Sequence, residues 1–304
     1  MIVATTTGDF DRFCKNDEEK IRELHRAGFR YIDLSMYSFT EDSPYMGDGW
    51  REQAMRLRAL ADSLGMKFVQ AHSQGGNPLS EDEGHREFLV RATLRSIEIC
   101  AELGIPATVS HAGVCRGASK EEWFEKNRAF YERLLPTAEK CGVFVLCENS
   151  TARNIGSDYY INTGKDMKEF IDFVDHPLFG GCWDTGHANC EGSQYGDILA
   201  LGESLRAIHY NDNRGTGDEH IAPFLGTLNH DEVMRALIDV GFSGPFTMEC
   251  DSSLRSYDYW QGDRRRFDGE SRLREPQLFM QRYIEKMMYE TAEWMLSSYG
   301  LLEK

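Results

Sequence analysis

His72, His111, Glu148, Asp184, His187, His209, Asp218, His220 and Glu249 carry groups that bind metal ions, and most of them close short apolar runs or follow one closely. Glu148, Asp184, His209 and Glu249 end four successive runs and would bring three carboxylates and one imidazole to one point. Groups of that kind repel one another, or pay heavily for lost hydration, unless a cation lies among them. An oxygen-rich set favours Mn²⁺, Mg²⁺ or Co²⁺ and tolerates Zn²⁺.

Four protein groups around a six-coordinate ion leave room for two substrate oxygens. A hydroxy-ketone can chelate there, and the cation then stabilises the enediolate formed when the α-proton leaves. Glu148 and Glu249 are the candidate acid and base. Proton return to the same carbon from the opposite face is epimerisation; return to the adjacent carbon is aldose–ketose isomerisation. His72, His111, His187, Asp218 and His220 are candidates for substrate contact or for additional metal ligation. Asp33, closing the second apolar run, is a candidate partner of a sugar hydroxyl or of the Ser35 to Gly49 loop. Asn149 and Asn211 stand just beyond ligand positions, as supporting partners or turn residues. His25, His85, His176 and His230 read as surface histidines, and Arg264-Arg265-Arg266, beside Asp263 and Asp268, as a solvated loop cluster.

The elements that must position these groups follow from the same runs. Gly65 to His72, Gly104 to His111, Gly142 to Glu148, Gly180 to Asp184, Leu205 to His209 and Gly244 to Glu249 read as strands, as do Ile2 to Thr6 and Phe29 to Leu34. Between them lie stretches with helical apolar spacing, such as the one opened by Asn16 and the long segment Phe88 to Leu103. Strand then helix, about eight times over, is the pattern of a parallel (β/α)8 TIM barrel. Helix-to-strand links are terse and carry Gly28, Gly65, Gly104 and Gly142 where a helix end needs a left-handed residue. Strand-to-helix links are long and aromatic, which places function at the C-terminal face. Their Tyr37, Phe39, Tyr45, Trp50, Tyr159 and Tyr160 suit stacking on a sugar.

At 304 residues one such barrel uses most of the chain, so a single domain is expected, with the barrel over about 1–250 and a C-terminal loop and helix over about 251–304. The tail should be helical from about Pro276 to Ser298, and its Leu278, Phe279, Tyr283, Ile284, Met287, Met288 and Trp294 would cap the barrel or pair with another subunit in a homo-oligomer. A net charge of −16 disfavours a nucleic-acid partner. No signal peptide and no membrane-spanning stretch is evident, and a cytoplasmic location is expected. Scattered cysteines without a Cys-x-x-Cys pair read as reduced thiols.

Cys-Glu148-Asn149, Trp-Asp184-Thr-Gly-His187, Ile-His209-Tyr-Asn-Asp212 and Met-Glu249-Cys, in that order, resemble the xylose-isomerase-like barrel superfamily. That group includes ketose 3-epimerases, hydroxypyruvate isomerase, inositol-catabolism enzymes and the endonuclease IV type of AP endonuclease. Likeness to its sugar epimerases implies that Glu148, Asp184, His209 and Glu249 bind a divalent metal, that the two glutamates are catalytic, and that His187 touches substrate. It also implies an arginine after the seventh strand that holds substrate, for which Arg214 lies in the right loop. Likeness to the endonuclease branch implies a three-zinc cluster on His72, His111, Glu148, Asp184, His187, His209, Asp218, His220 and Glu249. The acidic charge and aromatic loops favour a small sugar or sugar phosphate substrate. A zinc-dependent AP endonuclease, a metal-dependent dehydratase and an inactive sugar-binding barrel are the alternatives.

Overall fold

The computed structural model describes residues 1–254, 269–270, 272–273 and 275–303; the Arg264-Arg265-Arg266 cluster lies outside them. Eight strands alternate with helices: β1 (Val3–Thr6), α1 (Asp17–Ala27), β2 (Tyr31–Ser35), α2 (Trp50–Ser63), β3 (Lys67–His72), α3 (Glu83–Leu103), β4 (Ala107–Val109), α4 (Lys120–Glu132), α5 (Leu135–Cys141), β5 (Phe144–Glu148), α6 (Ala152–Ile155), α7 (Gly164–Val174), β6 (Phe179–Asp184), α8 (Thr185–Asn189), α9 (Tyr195–Leu201), β7 (Leu205–Tyr210), α10 (His230–Asp239), β8 (Phe246–Met248) and α11 (Leu278–Ser298). All strand pairs are parallel, and β1 pairs with both β2 and β8, so the sheet closes into the expected barrel.

Local chemistry sets most helix boundaries. Side chains of Asn16, Asp82, Ser119, Thr163 and Asn229 accept from backbone N–H groups in the first turns of α1, α3, α4, α7 and α10, satisfying donors that a helix start leaves open. Gly28, at φ +119°, ends α1 in a conformation that costs a residue with a Cβ about 1–2 kcal/mol.

Apolar packing then holds the layers. Trp123, Tyr131, Phe170 and Phe179 meet edge-on or tilted between helices and sheet; each fully buried large apolar side chain contributes about 1.5–3 kcal/mol. The lumen is uneven. Val109, Leu146, Cys182 and Ala207, from β4 to β7, form an apolar cluster inside it, while Asp33, Gln70 and Thr247, from β2, β3 and β8, make a buried polar chain.

The tail is helical as expected. α11 buries Met288, Ala292, Met295 and Leu296 and leaves Phe279, Tyr283 and Trp294 exposed. Arg282 on α11 pairs with Glu23 on α1. Three of the surface-histidine readings are corrected, most clearly at His230, which is half-buried with the Tyr210 hydroxyl 2.6 Å from its Nδ1 because α10 begins against the end of β7. His25 and His176 are also half-buried, and His85 is exposed. All the cysteines are free thiols. No helix among the described residues is long and apolar enough to cross a membrane.

Candidate metal centre

The C-terminal ends of β5, β6, β7 and β8 deliver Glu148, Asp184, His209 and Glu249 to one place. One ligand atom from each lies within 4.8 Å of the others. His209 Nδ1 is 2.8 Å from Glu148 Oε1 and 3.2 Å from Glu249 Oε2. Asp184 ends its strand and caps the short helix α8, with Oδ1 accepting the His187 N–H at 2.6 Å and Oδ2 accepting Asn211 Nδ2 at 2.6 Å. Asn149 holds the same residue from the other side, accepting its N–H and donating to its carbonyl. Both asparagines therefore support Asp184. At Gly186 a Cβ would sit 1.8 Å from Asn211 Oδ1, so this packing requires glycine.

The remaining histidines flank this point. His111 Nε2 lies 2.7 Å from Glu148 Oε2 and 3.0 Å from His72 Nε2. On the other flank His187 Nε2 and His220 Nε2 approach the two oxygens of Asp218 at 3.2 and 2.9 Å. Asp184, His187 and His220 also form a compact group of their own. His72, His111, Glu148, Asp184, His187, His209, Asp218, His220 and Glu249 are thus gathered in one cluster.

Burial and charge shape their protonation. Burial alone would raise Glu148, but His209 and His111 beside it hold it well below the usual carboxylate range. Burial pushes Glu249 up against the opposing pull of His209 and His220. His187 is desolvated, yet Asp184 and Asp218 lift it to about 10. Among the described residues, the ion pairs made by Glu148, Asp184, Asp218 and Glu249 all come from histidines. Three carboxylates and an imidazole nitrogen, converging without lysine or arginine, fit a divalent cation of the Mn²⁺, Mg²⁺, Co²⁺ or Zn²⁺ kind.

This cluster floors a cavity of about 480 Å³, within the usual range for small-ligand sites. Its wall includes Tyr37, Ser35, Asn154, Asp9, Asp11, Arg12 and Asp251. Of the loop aromatics expected to meet a sugar, only Tyr37 is on this wall. Phe39, Tyr45 and Tyr159 are buried in the core, Trp50 lies under Arg51 and Arg95, and the Tyr160 hydroxyl donates to Ala118 O. Asp33 is placed beneath the floor, not on the wall. Arg214 is off the wall as well, its N–H and Nε each donating to Glu219 at 2.8 Å. Asp9, Arg12 and Asp251 were not singled out from sequence, although Asp9 follows β1 at the rim where other strand ends proved informative.

Residues 21–281 match the family described as the xylose isomerase-like TIM barrel. The chain belongs to that family. Within this xylose isomerase-like group it is 25% identical over 262 residues to a ketose 3-epimerase of Arthrobacter globiformis, covering 81% of each chain. It is 32% identical over 188 residues to a probable endonuclease 4 of Methanoculleus marisnigri, covering 55% of this chain and 65% of that one. The chain spans about 60–65% of the length of two of the curated relatives it matches, the endonuclease among them. The crystal structure of D-psicose 3-epimerase from Clostridium cellulolyticum, solved with D-tagatose, shares the fold at TM-score 0.74 and 19% identity, over 97% of this chain and 99% of that one.

Proposed function

We propose that this chain is a divalent-metal-dependent sugar epimerase or isomerase. The observation that carries the reading is the meeting of Glu148 and Glu249, within one ligand set with Asp184 and His209, on the floor of a cavity of small-sugar size. Likeness to a ketose 3-epimerase over four-fifths of both chains supports it.

Glu148, Asp184, His209 and Glu249 would hold the cation, which when bound supplies Lewis-acid stabilisation of the charge developing on substrate oxygens. Glu148, kept ionised by its histidines, is suited to take the α-proton, and Glu249, whose burial raises its proton affinity, to hand one back. Two carboxyls on different strands can address opposite faces of one carbon, which is the requirement for epimerisation. His187, His220, His72 and His111 lie around the same point and are placed to meet substrate hydroxyls. Among the described residues the wall is acidic, and its guanidinium, Arg12, donates to the carbonyl oxygens of Asp251 and Leu254. That favours an uncharged ketose over a sugar phosphate.

The test is metal content together with proton exchange. Protein reconstituted with Mn²⁺ or Co²⁺ should hold about one ion per chain and wash solvent deuterium into a free ketose. Absence of exchange across a panel of free and phosphorylated ketoses would sink the reading. A second reading rests on the compact group Asp184, His187 and His220 beside Asp218 and on the close His72–His111 pair. Two or three tightly held zinc ions and cleavage of abasic DNA would establish an endonuclease-type centre instead.

A further inference from the structure

His209 presents Nδ1 to Glu148 and Glu249, so its Nε2 points the other way, into the lumen of the barrel. There it faces Asp33 Oδ2 at 3.5 Å, and both side chains are sealed from solvent. β2 and β7 are not neighbours in the sheet, so this approach crosses the lumen beneath the cavity. Asp33 is itself held in place: Gln70 Nε2 donates to the same Oδ2 at 3.0 Å, and Thr247 Oγ1 donates to Gln70 Oε1 at 3.2 Å. His209 Nε2 and Asp33 Oδ1 have no hydrogen-bond partner of their own.

We propose that Asp33 is the positioning residue that makes His209 a metal ligand, by accepting its Nε2–H and so leaving the Nδ1 lone pair for the cation. This rests on the metal-dependent reading above. A neutral imidazole carries its proton on one nitrogen or the other, and only the Nε2–H form can bind a cation through Nδ1. In a dry lumen that N–H needs an acceptor, and of the Asp33 carboxylate and the Cys182 thiol that the fold brings near His209, the carboxylate is much the stronger one. A carboxylate behind a ligating histidine also fixes the ring's orientation and raises its basicity. An ionised carboxylate only accepts, so Gln70 must offer Asp33 its NH₂ and turn its Oε1 to the Thr247 hydroxyl, an arrangement that keeps the carboxylate toward His209. Asp33 therefore serves the substrate only through the metal.

Co²⁺ affinity, measured by competition with a chromophoric chelator, and the visible spectrum of the bound ion test this on the full chain. Asp33→Asn should weaken Co²⁺ about 10- to 100-fold and alter the spectrum, while the unfolding midpoint of the metal-free protein stays within a few degrees of wild type. Gln70→Met, which leaves the carboxylate in place, should lose much less affinity than Asp33→Asn. Unchanged affinity and spectrum in Asp33→Asn, or an equal loss in Gln70→Met, would overturn the assignment. Should Asp33→Asn fail to fold, the ring ¹⁵N shifts of His209 in the Zn²⁺-loaded wild type decide: Nε2–H is expected, and Nδ1–H overturns it. Wild type that binds no divalent ion would fail the metal-dependent reading itself, a result separate from tight binding that is indifferent to Asp33.

Discussion

Two of the places where this barrel buries carboxylates resolve the same desolvation penalty in different ways. At the ends of β5 to β8, Glu148 and Glu249 are surrounded by His209, His111, His72 and His220, groups that can carry charge or share a cation. Where the end of β1 meets the tail helix, Asp9 and Glu285 on α11 face each other beside Gln281 and the Thr5 hydroxyl, with Asp251 and Glu249 adding further negative charge near Asp9 and no imidazole to offset it among the described partners. Burial and the neighbouring Glu285 push Asp9 well up, and burial pushes Glu285 up to about 7. The first cluster has the donors that could hold a metal ion, and the second has only oxygens that could hold a proton. Burial of an acid is therefore not itself a sign of chemistry; the company of imidazoles is.

The comparison is broken most easily at the glutamates. Glu148→Gln or Glu249→Gln should fold as wild type does and lose turnover by about 10³-fold or more, since proton transfer by a placed side chain contributes roughly 10²–10⁴ and each glutamate is also a ligand. Full activity in either variant would remove the two-glutamate mechanism. Stripping the metal comes next. If the ion binds only the folded chain, supplying it at about 100 times its dissociation constant stabilises by about 2.7 kcal/mol, so chelation should lower the unfolding temperature by roughly 5 °C. A melting curve insensitive to chelator would mean that the acidic cluster is satisfied without a cation.

Much of this was legible in the chain. Strand ends announced themselves because apolar runs of a parallel barrel must stop where the polar rim begins, and Glu148, Asp184 and His209 stand at those stops. Glu249 and His111 fall just past Met248 and Val109, within the usual error of an element boundary. Direction was harder. A residue at a strand end can face the rim or the lumen, and Asp33 took the lumen because the strand next to it offers Gln70 at the paired position. The loop aromatics misled because Phe39, Tyr45 and Tyr159 fold back into the core. Nothing local could link Asp9 to Glu285, which sit near opposite ends of the chain and meet only when α11 packs against the barrel.

The proton-sharing pair gives a smaller effect with a definite sign. Glu285 titrates near 4.5 when unfolded and near 7 when folded, so between those values unfolding releases a proton and stability falls as pH rises. The slope is at most about 1.4 kcal/mol per pH unit, and it flattens above about 7. Glu285→Gln keeps an amide donor for Asp9 and removes the titration. The stability difference between wild type and variant, from urea midpoints, should shrink from pH 5 to 7 in that direction. Parallel curves would show that the pair shares no proton.

Arg214 offers the finest distinction, because a substrate-gripping arginine and a loop-holding one predict different partners. Its backbone N–H and Nε both reach Glu219, and Glu219 lies between Asp218 and His220, the two groups that flank His187. The Arg214 side chain is more than half exposed but the Glu219 carboxylate is buried, so removing the guanidinium should cost about 1 kcal/mol or more of loop stability. If Arg214 acts by holding this loop, Arg214→Ala and Glu219→Gln should produce similar losses and the double variant should lose little more than either alone. If Arg214 instead reaches the substrate, its loss should raise KM alone, Glu219→Gln should loosen the guanidinium from the loop and leave KM level or lower, and the two effects should not overlap.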